Sequence, residues 1–126
     1  MAALTALDIK GSGKIGASSK YLDNYDGLIS TQRQGHILYG DETGGGHLAG
    51  AGKGKPEFPK SWSNKQVLHN TADIATDPGI TWTKDTAWKG KYARYIADGI
   101  RDNVNMRVII EPKGEGIITG YPLVTR

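Results

Sequence analysis

Residues 35–59 read GHILYGDETGGGHLAGAGKGKPEFP, and no other stretch limits the fold so strongly. Each interior glycine weakens a helix by roughly 1 kcal/mol relative to Ala. The stretch therefore predicts a loop broken by short extended pieces, with residues 36–39 a short strand running into a Gly40-Asp41 turn. His36 and His47, two of the three histidines, lie in it, and Gly44, Gly45 and Gly46 immediately precede His47. Three glycines in a row would let a phosphate approach main-chain N–H groups closely. Lys53 and Lys55 follow. Any chemistry in this chain is expected here.

At 126 residues the chain has room for one domain and one core. No apolar run approaches the ~18 residues of a membrane span, and the first residues lack the basic-then-apolar layout of a secretory signal. No membrane anchoring is expected of this domain. The absence of Cys excludes a disulfide framework, a thiolate nucleophile and a zinc knuckle. A net charge of +3 is compatible with an anionic partner without identifying one.

Residues 1–30 are expected to be a linker or poorly defined segment, and residues 31–126 the folded domain. Gly11, Gly13 and Gly16 fit a dinucleotide-binding spacing, but the chain is too short for a doubly wound sheet to follow. Ala17 stands where a phosphate-binding loop needs Lys. Residues 21–29 suit a short helical turn or irregular packing.

The rest of the chain is easier to place. Ser61 or Ser63 can cap a helix over about 63–76, with Val67, Leu68, Ala72, Ile74 and Ala75 on one face and Asp77-Pro78-Gly79 ending it. His69 on that helix reads as an ordinary, partly exposed histidine. Residues 80–83, 91–97, 106–111 and 116–124 carry strand composition, the last two joined by a Pro112-Lys113-Gly114 turn. An antiparallel meander of about three strands should occupy the C-terminal end, and the class is α+β. Pro122 cannot donate to a ladder, so Tyr121 should sit where its strand leaves the sheet.

A histidine pair is suited to removing one proton and donating another within one reaction. Flanking a phosphodiester, it could deprotonate a ribose 2′-hydroxyl and protonate the departing 5′-oxygen, with no metal, cofactor or protein nucleophile. Lys53, Lys55, Lys60 and Lys65 against Glu57 give a local cationic excess that suits either a solvated face or a phosphate track. A metal site of His36, Asp41, Glu42 and His47 would match no standard zinc spacing. A non-catalytic basic module that binds RNA or protein remains the alternative from another class.

Several motifs in order resemble the bacterial branch of the EndoU endoribonuclease family, whose fold is shared with the coronavirus uridylate-specific endoribonuclease. They are His36-Ile37-Leu38 with Gly40-Asp41, Gly45-Gly46-His47, the Lys55 to Pro59 Lys-x-x-Phe-Pro run, Ser61-Trp62-Ser63, and Thr119-Gly120-Tyr121-Pro122. The first thirty or so residues carry none of the resemblance. The resemblance implies a fold in which a catalytic loop and helix pack beside a C-terminal sheet, with the active-site groove between. It implies metal-independent transesterification to 2′,3′-cyclic phosphate and 5′-hydroxyl ends, with His47 as general base, His36 as general acid and Lys55 as triad lysine; Lys53 is the rival. Spacing alone does not orient base and acid. Thr119 and Tyr121, on one face of a strand, would meet the nucleotide, with Lys53, Gly45 and Gly46 nearby. The Ser that some members use to select uridine has no counterpart, which leaves base preference open. Bacterial members are C-terminal toxin domains of secreted effectors, including contact-dependent growth-inhibition proteins. A target in a neighbouring cell's cytoplasm, tRNA as substrate and a cognate immunity protein are therefore implied.

Overall fold

The computed structural model describes residues 25–124; Gly11, Gly13, Gly16, Ala17 and the first part of the 21–29 segment lie outside them. Its elements run α1 (Thr31–Tyr39), α2 (Asn64–Ala75), β1 (Thr83–Lys84), β2 (Tyr95–Arg101), β3 (Val104–Glu111) and β4 (Gly116–Pro122). The four strands form one antiparallel sheet in the order β1-β2-β3-β4. The class is α+β, as expected.

The first difference from the sequence reading is α1, which replaces the strand expected at 36–39. Ser30 caps it, its hydroxyl accepting from the Arg33 N–H at 3.2 Å. Thr31 to Gln34 then build a full turn before Gly35, and Ile37 and Leu38 are buried in the core with Tyr25 and Ile29. Core burial outweighs one interior glycine, and the helix stops only at Gly40, where φ is +82°. Tyr25 and Ile29 precede the boundary expected at residue 31, yet both are fully buried.

The helix read over 63–76 is α2, with Ser63 accepting from Gln66 N–H at 3.1 Å and Thr76 as C-cap. It lies across one face of the sheet. Val104, Met106, Val108 and Ile110 of β3 alternate onto that face and are buried. Gly120, opposite Val108, lets α2 approach, since a Cβ there would lie 2.5 Å from the Thr71 hydroxyl.

The strands shift from their expected bounds. The 80–83 segment contributes only the short edge β1, and the 91–97 segment pairs only from Tyr95 onward. Asp102 and Asn103, at φ 48° and 65°, form the two-residue turn between β2 and β3, where both central residues need positive φ. β4 is an edge strand and ends at Pro122, in agreement with the reading of Tyr121. Cross-strand register places Ile96, Ile109 and Thr119 in one row, and Asp98, Arg107 and Tyr121 in the next, on the face opposite α2. No helix of the described residues is long and apolar enough to cross a membrane.

Candidate active site

His36 leaves α1 on its buried side and is 6% exposed. Its Nδ1 lies 3.0 Å from Asp41 Oδ2. Asp41 begins a tight turn closed by its backbone pairing with Gly44, and Thr43 donates to Asp41 Oδ1 through both its N–H (2.9 Å) and its hydroxyl (2.6 Å). The Thr43 hydroxyl and N–H, then His36, hold the Asp41 carboxyl down at about 2. An ionised carboxylate only accepts, so Nδ1 of His36 carries the hydrogen and Nε2 is the atom left for chemistry.

His47 is fixed by a different acceptor. Its Nδ1 lies 2.7 Å from the Pro56 carbonyl oxygen, which again requires Nδ1–H and leaves an Nε2 lone pair. The ring stacks on Tyr121, centroids 5.2 Å apart and planes 20° from parallel. Burial lowers its pKa below the ordinary imidazole value, and the charges of Lys55, His36 and Lys53 lower it further against the opposing Pro56 hydrogen bond. The loop returns along itself at this point, with Phe58 N–H donating to the His47 carbonyl at 2.8 Å.

The triglycine brings the histidines together by close main-chain packing. Gly46 N–H donates to the His36 carbonyl at 3.0 Å, and Gly44 N–H to that of Asp41 at 3.1 Å. Those two donors are thus engaged within the protein, where the sequence reading left them open to a phosphate. Gly45, at φ +77°, passes so near α1 that a Cβ would sit 2.1 Å from the His36 carbonyl oxygen and 3.0 Å from its ring Cδ2.

The two lysines separate in role. Lys55 Nζ donates to the Gly45 carbonyl at 3.2 Å and is part-buried beside the segment that touches the His36 ring. Lys53 Nζ donates to the Tyr39 carbonyl at 2.7 Å, where an ammonium group favours the negative end of α1. Thr119 and Tyr121 share a face of β4, as read; Thr119 is buried and Tyr121 half-buried. Tyr121 is flanked by Arg107, whose guanidinium pairs with Asp98 at 2.8 and 3.1 Å and is shifted upward chiefly by that pair.

His69 lies apart from these residues and is buried, contrary to the expectation of partial exposure. Residues 67–75 of α2 are all buried, and His69 Nδ1 meets the Tyr25 hydroxyl at 3.2 Å. Among the described residues, no group of three or more His, Cys, Asp or Glu is placed to hold a metal ion. Asp41 instead orients His36, a role that its Asp-x-Thr turn signature could have suggested. Pro56 acts through its carbonyl, which no side-chain pattern announces. Arg107 had no signal except its place opposite Tyr121.

No curated protein and no solved structure matches this chain. The family model for the bacterial EndoU nuclease matches residues 51–124, more than half of the chain, a span that contains both lysines, Thr119 and Tyr121 and begins shortly after His47. With a nuclease family covering the sheet, α2 and the lysine loop, the chain belongs to the bacterial EndoU nucleases.

Proposed function

We propose that this domain is a metal-independent endoribonuclease in which His47 and His36 act as base and acid on one ribose–phosphate junction. The observation that carries the reading is the tautomer pair: each Nδ1–H is held by an acceptor, so each ring offers Nε2. His47, with its depressed pKa, is unprotonated near neutrality and suits removal of the 2′-hydroxyl proton. As the O2′–P bond forms, the P–O5′ bond breaks, and a protonated His36, its cationic ring paired with Asp41, gives the Nε2 proton to O5′. Lys55 neutralises charge developing on the phosphorane oxygens. Tyr121 buttresses His47 and, with Thr119 in the adjacent row, meets the nucleotide that supplies the 2′-hydroxyl. The products are a 2′,3′-cyclic phosphate and a 5′-hydroxyl end, and DNA is inert because it lacks the nucleophile.

Family membership supports the wider reading of a toxin domain of contact-dependent growth inhibition. In that reading it is delivered by a secreted effector into a neighbouring bacterium's cytoplasm, cleaves tRNA there, and is neutralised in the producer by an immunity protein. An acidic immunity protein covering the cleft at Lys55 would match its charge; a complex that leaves the cleft active would refute this.

The test is incubation of the purified chain with total tRNA, with and without EDTA, followed by end-group analysis. Cyclic phosphate and 5′-hydroxyl ends are expected in both arms. His36→Ala and His47→Ala should each reduce the rate by about 10²–10⁴-fold. Silencing by EDTA, or near wild-type cleavage by both variants, would remove the mechanism.

A further inference from the structure

The loop joining β1 to β2 and the turn joining β3 to β4 meet in a cleft of about 560 Å³, away from the histidines. Its walls include Trp88, Lys91, Tyr92, Arg94, Lys113 and Glu115. Trp88 and Tyr92 are each 38% exposed, a large aromatic surface to leave in water. Neither is loose. The Trp88 Nε1–H donates to the Tyr92 carbonyl at 2.9 Å, and the Arg94 guanidinium covers the indole at 3.6 Å while bonding Glu111 at 2.9 Å. Lys91 Nζ lies 5.2 Å from the Tyr92 ring centroid.

The charge is unbalanced. Glu111 is paired with Arg94, and Glu115 with Arg33. Lys91 and Lys113 are exposed, and among the described residues neither has a carboxylate within ion-pair distance, whereas Lys89 lies outside the lining and donates to the Thr86 carbonyl at 2.9 Å. Ammonium groups interleaved with held, exposed aromatics suit a single-stranded nucleic acid, whose bases stack while its phosphates meet the cations.

The cleft also has a direction. Glu115 on its wall grips Arg33 of α1 through two hydrogen bonds, 3.1 and 2.8 Å long. Arg33 in turn lines the hollow that contains His36 and Asp41. The Arg33–Glu115 pair thus links the wall of the hollow holding the proposed acid to the wall of the aromatic–lysine cleft. The oxygen protonated by His36 belongs to the nucleotide on the 3′ side of the cut.

We propose that the Trp88–Lys113 cleft is a second RNA-binding site that receives the strand 3′ of the scissile bond, with Tyr92 and the exposed part of Trp88 against bases and Lys91 and Lys113 against phosphates. The direction rests on the nuclease reading; the binding does not. The test uses the whole chain with the exposed pair changed, Lys91→Glu with Lys113→Glu, and a fluorescent 2′-O-methyl RNA that cannot be cleaved. Anisotropy titrated against salt should show weaker binding and a log K against log salt slope smaller by about 1.4, two lost phosphate contacts at about 0.7 each. In parallel, kcat/KM should fall for an RNA extended 3′ of the cut and stay unchanged for a dinucleotide. Unchanged affinity and slope would overturn the site, as would polyglutamate competing as strongly as RNA, which would mark an acidic-protein surface. Equal losses on the dinucleotide, or losses confined to a 5′-extended RNA, would overturn the direction. Wild-type chain that cleaves nothing, combined with weakened RNA binding by the variant, would leave the site standing and sink the nuclease reading.

Discussion

His47 is acidified by its surroundings, and that has a sign. A base whose pKa lies below the ordinary imidazole value keeps its lone pair at lower pH, so the acid limb of the pH–rate profile should fall below about 6.5. Lys53 is one of the cations responsible, and it touches Tyr39 rather than either ring. Lys53→Ala should move that limb upward in pH while leaving the end groups unchanged; a limb that stays put would separate Lys53 from His47. Gly45 is the other sensitive residue. Ala there meets the His36 carbonyl at a positive φ, so Gly45→Ala should destabilise by about 1–3 kcal/mol or more, read as a lower urea midpoint at unchanged m-value. An unchanged midpoint would contradict the contact. The histidines and lysines were legible as residue types in one stretch. Their tautomers were not, because Pro56 contributes only a carbonyl and Asp41 acts across a turn that spacing leaves undefined.

Among the elements, α2 was readable because cap, apolar face and Asp-Pro-Gly stop all agree. α1 was not. Counting glycines from Gly35 merged a helix end with the loop after it, although Gly35 has no positive φ and only Gly40 ends the helix. This misreading makes a testable contrast with Gly45. A Cβ at Gly35 would meet nothing within 4 Å, so Gly35→Ala should stabilise the protein by about 0.5–1 kcal/mol, seen as a raised urea midpoint. A loss of stability would mean that α1 needs that glycine. The C-terminal strands were legible in order and approximate place. Their ends moved because pairing partners, which composition does not show, decide where a strand begins.

For the molecule as a whole, acid should be a weakness. His69 is buried against Tyr25, and burial lowers its pKa; the same is true of His47. The unfolded chain then binds more protons than the native one below the ordinary imidazole value, so stability present above about pH 6.5 is lost as pH falls toward the depressed native values. The melting temperature should be lower at about pH 5 than at about pH 7.5, and His69→Asn should shrink that difference to the His47 share. A difference that His69→Asn leaves intact would place the acid sensitivity elsewhere. The α+β class and the stretch that holds both candidate histidines could be read along the chain. The Arg33–Glu115 link between residues far apart in sequence could not, since only the packed sheet and α1 bring them together.

The main-chain bond from Gly46 to the His36 carbonyl ties the backbone just before His47 to α1 without using a side chain for that tie. The outward side chains at Glu42, Ala49 and Ala51 can therefore be exchanged while that tie stays in place. On the proposed reading, an inhibitor gripping this rim would face an epitope free to diversify around a fixed frame, so that recognition and turnover could evolve as separate traits.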